Sequence, residues 1–227
     1  MLWLGLVALA HWVHDNPRGD TETGLFYRGE QLYALVFHQL KATGQQHIPT
    51  GKTPGPLIVI ANHTAGIDPI LVQAAMKCEP RWMMGADMAA PDFDWFWKWS
   101  GMIPVDRSGS DRTSLRTAVR HVESGGVLGI FPEGRIERPA RKLLPFMPGV
   151  GLIVKKTGAR VLPVILRDTP DCDGAMESFL KFSRSRIEFK PVIDYRESGL
   201  SAEGIAKDLE SRYAAWTGWG LNSEVTK

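Results

Sequence analysis

Short segments rich in apolar residues recur along the chain from residue 57 onward, and they constrain the fold more than any other feature. The runs are LIVIAN at 57–62, RWMMGA at 81–86, MIPV at 102–105, VLGIF at 127–131, ARVLPVIL at 159–166 and RIEFKPVI at 186–193. Segments with helical spacing of apolar residues, such as 70–76 and 111–124, lie between them. Apolar strands that alternate with helices predict an α/β fold, in which a mainly parallel or mixed sheet is flanked by helices.

The composition excludes several classes of protein. Hydrophobic residues make up 44% and charged residues 23% of the 227-residue chain, unlike disordered, collagenous or coiled-coil proteins. Lys and Arg number 27 against 25 for Asp and Glu, and this net charge of +2 argues against a nucleic-acid partner. The two cysteines, Cys78 and Cys172, form no disulfide framework and no CxxC site, so we expect reduced thiols in a cytosolic compartment.

The first 40 residues differ in texture from the rest of the chain. The run MLWLGLVALAHWV at 1–13 carries no formal charge, and residues 25–40 place apolar side chains at helical spacing. A helix of the first length reaches only about 20 Å of a roughly 30 Å hydrocarbon layer. We therefore predict a membrane-binding pair of helices that lies in one leaflet, with packing on a soluble core as the alternative. A signal peptide is not expected, because no Lys or Arg precedes the apolar run.

This change of texture predicts two units, a membrane-associated helical pair at 1–40 and an α/β domain at 41–227. The domain opens with a Gly/Pro/Thr-rich segment at 41–56 that is typical of a linker. A second aromatic group, with the sequence FDWFWKW at 93–99, is expected either to lie beside the active-site mouth at the membrane or to fill the core.

Two familiar site patterns are excluded. Residues 51–53 read GKT, but a phosphate-binding loop requires glycine where this chain has Gln46. The context also differs, because Pro54 and Pro56 follow where the helix should begin and the strand comes after the loop instead of before it. The G-x-S-x-G pattern of serine hydrolases is absent from the sequence.

His63 and Asp68 are the first candidate site residues, because they follow a buried strand where a helix begins. A carboxylate can hold one imidazole nitrogen protonated and leave the other free as a base, which would activate a hydroxyl of the substrate. The alternative is that Asp68 caps the helix and His63 only ends the strand. No HExxH pattern and no second histidine at ligand spacing accompany them, so we expect no metal.

Arginines follow two further apolar strands, at the same predicted edge of the sheet. Arg107 follows the strand at 102–105, and Glu133 follows the strand at 127–131. Arginine offers a planar fork for a phosphate, and a carboxylate can accept hydrogen bonds from hydroxyls next to that phosphate. The remaining candidates for the anion are Arg135, Arg138 and Arg141.

Four segments, ANHTAGID, GMIPVDR, FPEG and VLPVIL, resemble in order and spacing the four motifs of the glycerolipid acyltransferases, a family that includes 1-acylglycerol-3-phosphate acyltransferase. The resemblance covers about residues 48–195. It implies transfer of an acyl group from a thioester of coenzyme A or acyl carrier protein to a glycerolipid hydroxyl, without a further cofactor. It also implies membrane lipids as partners and a location on the cytoplasmic face of a membrane.

The resemblance assigns roles to individual residues. His63 is expected to be the base and Asp68 its orienting partner, and both belong to the first motif. The acceptor site is expected to include Asn62, Arg107, Glu133, Gly134, Arg135, Arg138 and, in the last motif, Pro163.

The third motif departs from the family pattern. FPEG usually continues with Thr-Arg-Ser, whereas here it continues with Arg135, Ile136, Glu137 and Arg138, so either arginine could take the phosphate. Met147 and Pro148 also replace a basic residue that is common before the glycine at 149. An acceptor other than 1-acylglycerol-3-phosphate, such as another lysophospholipid or an amino-acid-containing lyso-lipid, therefore stays open. A non-catalytic lipid-binding protein is the alternative outside the enzymes.

Overall fold

The computed structural model describes residues 2–89, 92, 94–107, 111–136, 141–172 and 174–222. Its helices are α1 Leu2–His14, α2 Thr21–Val36, α3 Asp68–Ala74, α4 Asp94–Ser100, α5 Arg112–Glu123, α6 Pro148–Thr157 and α7 Ala202–Thr217. Its strands are β1 Lys41–Thr43, β2 Leu57–Ala61, β3 Arg81–Gly85, β4 Ile103–Val105, β5 Val127–Ile130, β6 Arg160–Arg167 and β7 Arg186–Phe189.

The strands form one sheet in the order β1-β7-β6-β2-β5-β3-β4. All neighbours pair in parallel except β6 and β7, which are antiparallel. The predicted α/β fold with a mixed sheet is therefore confirmed. Strand β2 lies near the middle, where its residues Leu57–Ala61 are all buried because helices cover both faces.

Alternate residues of the central strands face two separate cores. Ile58 and Ile60 of β2 pack with residues of α5, α6 and α7 on one face of the sheet. Leu57, Val59 and Ala61 of β2 face the other side of the sheet, where they pack with α3 and with Ala34 of α2. Side chains of successive strand residues point to opposite faces, so the continuous apolar run of β2 is required to build both layers.

Tertiary pairing alters two predicted boundaries. The segment 41–56 is not only a linker, because Lys41–Thr43 pairs in parallel with β7 and forms the edge of the sheet. The last predicted strand, 186–193, ends at Phe189, and after one extra residue an isolated bridge joins Ile193 to Val161. Helices α4, α6 and α7 were not predicted.

The first two helices form a pair that is attached to the domain through α2. Their close approach depends on Gly24, where a β-carbon would lie 2.1 Å from the carbonyl oxygen of Val13. Helix α2 buries Tyr27 and Ala34, and the Tyr27 hydroxyl donates a hydrogen bond to the Met76 carbonyl at 2.5 Å. Helix α1, by contrast, leaves its large apolar side chains exposed, namely Trp3, Leu4, Leu6, Val7, Leu9 and Trp12.

Among the described residues, no helix is both long enough and apolar enough to span a bilayer. The aromatic segment forms α4, none of whose residues is fully buried. Its rings pack on α2, since the centroid of Phe26 lies 4.7 Å from that of Trp99 and 6.4 Å from that of Trp95. These tryptophans therefore do not fill the core, and they extend the apolar surface of the helical pair; Phe93 lies outside the described residues.

Candidate active site

His63 and Asp68 meet at the carboxyl end of β2, as the sequence predicts. The Nδ1 atom of His63 lies 2.9 Å from Oδ2 of Asp68. The histidine side chain is 16% exposed, whereas the aspartate side chain is completely buried. One side of the imidazole is thus held from inside the protein, while the ring itself stays accessible.

The turn that precedes α3 holds the Asp68 carboxylate in place. Its Oδ2 accepts hydrogen bonds from the backbone N–H groups of Thr64, at 2.6 Å, and Ala65, at 2.8 Å. These donors precede the helix, so Asp68 does not cap α3, which is the alternative that the sequence left open. A carboxylate that accepts such bonds requires Nδ1 of His63 to be the donor, which leaves the lone pair on Nε2. In the part of the chain that the structure describes, nothing donates a hydrogen bond to Nε2.

An aromatic stack supports the imidazole ring. His63 stacks on Phe131 with centroids 4.1 Å apart, and Phe131 stacks on Trp82 at 4.8 Å. Gly129 makes room for this arrangement, because a β-carbon there would lie 2.5 Å from the indole of Trp82. Sequence analysis missed Phe131, although it follows the same strand as Glu133.

Glu133 ties the second strand end to the first. It is buried, and its Oε1 accepts a hydrogen bond from the backbone N–H of His63 at 2.8 Å. Its Oε2 accepts another from the backbone N–H of Leu144 at 3.1 Å. The sequence suggests hydroxyls of an acceptor as the partners of this carboxylate, whereas the structure gives it two backbone donors. Glu133 therefore positions the turn that carries His63, and its contact with the acceptor stays a prediction.

Asn62 is bonded to a neighbouring strand, and its predicted contact with the substrate stays a prediction. Its side chain is completely buried, and its amide exchanges two hydrogen bonds with the backbone of Leu166, at 3.0 and 2.8 Å. Asparagine carries both a donor and an acceptor, so it can replace a strand partner where the backbone of β2 turns away. Asn62 thus positions the strand end that carries His63.

Tyr213 of α7 also joins β2 to β6, close to the place where Asn62 does. Its hydroxyl donates to the Ile60 carbonyl and accepts from the backbone N–H of Val164 at 3.2 Å. Complete burial raises the pKa of Tyr213, so the hydroxyl stays protonated and can donate. Sequence analysis missed this residue, since a lone tyrosine on a distant helix gives no local signal.

Arg107 lies at the same edge of the sheet, but β5 and β3 separate its strand β4 from β2. Three strand spacings put the two strand ends roughly 14 Å apart. The guanidinium crosses Gly85, where a β-carbon would lie 2.5 Å from Cζ, and Nη1 lies 3.4 Å from Oδ2 of Asp87. Both partners are exposed, so the arginine can turn towards a ligand.

The third motif places its residues less uniformly. Gly134 has a φ of +73°, a left-handed conformation that favours glycine. Arg135 is exposed and has no ion-pair partner within the described ranges. Arg138 falls outside the described residues. Arg141 is also exposed, and its Nη2 lies 3.7 Å from Oδ1 of Asp168.

Pro163 lies inside the central strand β6 and is buried. Its carbonyl accepts a hydrogen bond from the backbone N–H of Lys190 at 2.9 Å, just beyond the end of β7. A proline is tolerated here because β7 has ended, so no regular strand partner needs the missing N–H. That its strand helps to form the pocket stays a prediction.

Other chemistry is not indicated by the groups that the structure describes. Within those residues, no three His, Cys, Asp or Glu side chains are placed to hold a metal ion. Cys78 and Cys172 are buried, and burial raises the pKa of the Cys78 thiol to about 11. A thiol of that pKa is a poor nucleophile at neutral pH.

Comparisons with known proteins agree with this geometry. Residues 39–167 match the Acyltransferase family model. The chain is 25% identical over 179 residues to a chloroplastic 1-acyl-sn-glycerol-3-phosphate acyltransferase of Brassica napus, a match that covers 77% of this chain and 51% of that protein. It is 26% identical over 166 residues to a 1-acyl-sn-glycerol-3-phosphate acyltransferase of Helicobacter pylori, covering 72% and 68% respectively.

A solved structure is similar in fold. The crystal structure of PlsC, the 1-acyl-sn-glycerophosphate acyltransferase of Thermotoga maritima, aligns with a TM-score of 0.68 and 20% identity over 88% of this chain and 82% of that one. The chain spans about half the length of the Brassica relative and about two thirds of the Helicobacter one. Because the family model covers more than half of its residues, including both His63 and Asp68, this chain belongs to the Acyltransferase family.

Proposed function

We propose that the chain transfers a fatty acyl group from a thioester of coenzyme A or acyl carrier protein to the free hydroxyl of 1-acylglycerol-3-phosphate, in phospholipid biosynthesis. The observation that carries this proposal is the bond between Nδ1 of His63 and the buried carboxylate of Asp68. The names of the Brassica and Helicobacter relatives support this choice of acceptor.

His63 acts as general base through Nε2. It takes the proton of the acceptor hydroxyl as the hydroxyl oxygen attacks the thioester carbonyl carbon. The tetrahedral intermediate then collapses, the carbon–sulfur bond breaks, and the proton on His63 passes to the departing thiolate. Asp68 holds the imidazole in the tautomer that this sequence of steps requires and stabilises the imidazolium that forms.

The exposed arginines bind the acceptor phosphate. Arg107 approaches from one side of the site, and Arg135, which follows Gly134, approaches from the end of β5. Guanidinium groups bind phosphate through charge-assisted, bidentate hydrogen bonds. The lipid substrate and the exposed apolar residues of α1 and α2 support a location on a membrane, and we propose its cytoplasmic face.

An assay with defined substrates tests the proposal. Purified protein is incubated with acyl-CoA or acyl carrier protein thioester and a panel of lyso-lipids, and products are identified by mass spectrometry. We expect diacylglycerol phosphate from 1-acylglycerol-3-phosphate and none from the His63→Ala variant. Preferential use of a lyso-lipid without a terminal phosphate would replace the proposed acceptor. Absence of acyl transfer to every acceptor would contradict the enzymatic proposal itself.

A further inference from the structure

A second apolar surface lies outside the two N-terminal helices, in the segment 174–182 of the α/β domain. This segment contains a short helix, Met176–Phe179, and ends in a turn. Three of its large apolar side chains point into solvent: Met176 is 64%, Leu180 82% and Phe182 69% exposed. Exposure of neighbouring apolar side chains on this scale is typical of a surface that binds something outside the chain.

The segment is continuous with the exposed face of α2. The rings of Phe182 and Phe37 stack with centroids 4.9 Å apart, and the Tyr33 hydroxyl donates to the carbonyl of Phe179. His38 is completely buried beneath this junction, with Nδ1 2.9 Å from the Ser183 hydroxyl. These contacts fix the segment against α2 as one surface.

An apolar groove of about 280 Å³ lies on α2 beside this junction. It is lined by Gly29, Leu32, Tyr33, Val36 and Phe37. Leu32 and Val36 are themselves exposed, and Phe37 contacts the segment through its ring stack with Phe182. The apolar surface therefore runs from α2 onto the α/β domain without a polar gap between these two rings.

The same segment packs directly behind the catalytic turn. A β-carbon on Gly66 would lie 2.3 Å from the carbonyl oxygen of Ala175, so glycine is required for this contact. Gly66 lies between His63 and Asp68 in the sequence. A surface that binds segment 174–182 is therefore held close to the turn that carries His63, the proposed general base.

We propose that segment 174–182 is a second membrane-binding element, which enters the bilayer interface beside α2 and places the catalytic turn against the lipid surface. This inference rests on the membrane association stated under Proposed function and names a further part of the chain that carries it. Leu180 and Phe182 insert among the acyl chains, and Met176 lies at their side.

The charges of the segment favour a bilayer over a protein partner. Lys181 alternates with the two apolar residues, and Arg184 follows them; both cations are exposed. The Lys181 ammonium lies 3.8 Å from the Glu177 carboxylate, an exposed and therefore weak pair. Long basic side chains beside inserted apolar groups can reach lipid phosphates while their stems stay in the apolar layer.

Fluorescence from single labelled sites tests the proposal. The environment-sensitive dye NBD is attached to the full chain at Leu180→Cys, at Leu4→Cys on α1, or at Glu203→Cys on α7. The native cysteines are buried, and Glu203 is exposed beyond the opposite face of the sheet. Vesicles contain phosphatidylglycerol and phosphatidylcholine in equal parts. We expect a blue shift and a several-fold rise in emission at positions 180 and 4, and no change at position 203.

Each outcome bears on a different statement. A label at 180 that stays in water while the label at 4 inserts would overturn the role of the segment and leave α1 as the anchor. If neither label inserts, the proposed membrane association fails as well. A label at 180 that is already in an apolar environment without vesicles shows that a second copy of the chain covers the surface, and this also overturns the proposal.

A substitution gives an independent readout. Leu180→Gln should weaken vesicle binding about ten-fold, since it replaces the apolar side chain of one inserted leucine with a polar amide. Leu221→Gln, at another exposed leucine, should leave binding unchanged. Turnover of a short-chain, water-soluble lyso-lipid should be equal in both variants. Loss of acyl transfer in both variants, measured without vesicles, would count against the proposed function. Equal vesicle binding by the two variants would instead overturn this inference.

Discussion

The end of β2 that carries His63 and the surface around α2 differ in which groups they bury and which they expose. At the end of β2 the polar groups are buried and partnered: Asp68 accepts from the turn, and Glu133 accepts from His63 and Leu144. Around α2, apolar groups are exposed, as at Leu35 and Leu180. Within the described residues, these carboxylates have partners inside the chain, while no group donates a hydrogen bond to Nε2 of His63.

The second region, around α2, exposes apolar side chains that no described part of the chain covers. Folding alone does not favour so many exposed leucine and tryptophan side chains. A side chain that stays in water does not contribute the favourable free energy of burial to the stability of the fold. The difference teaches that the contact between His63 and Asp68 is preorganised within the domain, whereas the apolar surface around α2 stays open, as the proposed binding to a membrane requires. Four predictions test this contrast, from the largest expected effect to the smallest.

The largest effect is expected at the preorganised base. His63→Ala should lower turnover roughly 10²-fold to 10⁴-fold, because it removes the group that takes the proton from the acceptor. Asp68→Asn should cause a loss of the same order, since an amide can present the wrong partner to Nδ1. Steady-state turnover with acyl-CoA and a lyso-lipid measures both.

The control for this pair is His47→Ala, at a histidine in a short helix after β1. It should keep the turnover of the unmodified protein, and circular dichroism should show that all three variants are folded. Near-normal turnover of folded His63→Ala would contradict the mechanism.

The next effect concerns recognition at the open side of the site. Arg107→Ala should weaken use of a phosphate-bearing acceptor about ten-fold to a hundred-fold, the usual contribution of a charge-assisted hydrogen bond. Arg120→Ala, at an exposed arginine of α5, is the matched control. Parallel assays with phosphate-free acceptors check the assignment, since equal losses for both acceptor types would show that Arg107 does not bind the phosphate. Arg135→Ala in the same assay tests the third motif.

A third effect concerns a carboxyl group of α2 that contrasts with Asp68. Glu30 is partly buried, and none of the described residues donates a hydrogen bond to it. Burial, with a smaller contribution from the Glu79 carboxylate, raises the pKa of Glu30 to about 8. The folded state therefore holds this proton more tightly than the unfolded state, whose glutamate titrates near 4.5.

Stability should consequently fall as the pH rises from about 4.5 to about 8, and then stay level with respect to this group. Glu30→Gln should remove that loss and raise the free energy of unfolding by about 1 to 3 kcal/mol at pH 8, with little change at pH 4. Urea unfolding at several pH values measures the difference. A gain that is independent of pH would mean that ionisation of Glu30 is not the cause. Glu22→Gln, at an exposed glutamate of the same helix, is the matched control.

The smallest effect is expected from the thiols. Direct transfer of the acyl group requires no enzyme nucleophile, and both Cys78 and Cys172 are buried. Treatment of the folded protein with a thiol-alkylating reagent should leave turnover unchanged. Isolation of an acylated enzyme peptide that forms and decays at the rate of turnover would overturn direct transfer.

The sequence predicted the elements that depend on local pattern. The six apolar runs all contain strands of the sheet, and β2 is apolar throughout because helices cover both of its faces. It also predicted that His63 and Asp68 meet, since both lie in one short turn. It failed for β1, whose three residues become a strand only by pairing with β7, and for α6 and α7, whose apolar spacing was not recognised.

The division between the helical pair and the domain shows a further limit. Residues 1–40 were recognised by their apolar texture, yet texture could not show that α2 packs on α3 and buries Tyr27 and Ala34. The sequence equally could not predict that Leu180 and Phe182 are exposed, because the same residues in another fold would belong to the core.

The sequence by itself determined the class of fold, the order of strands β2 to β7 along the chain, and the contact between His63 and Asp68. Only the tertiary structure decided which groups hold His63 in place. Glu133 bonds to His63 across 70 residues, Asn62 to Leu166 across 104, and Tyr213 to Ile60 across 153. The physical reason is that these bonds depend on which strands and helices become neighbours. Side-chain periodicity specifies the face that each element buries, but it does not specify the partner against which that face is buried.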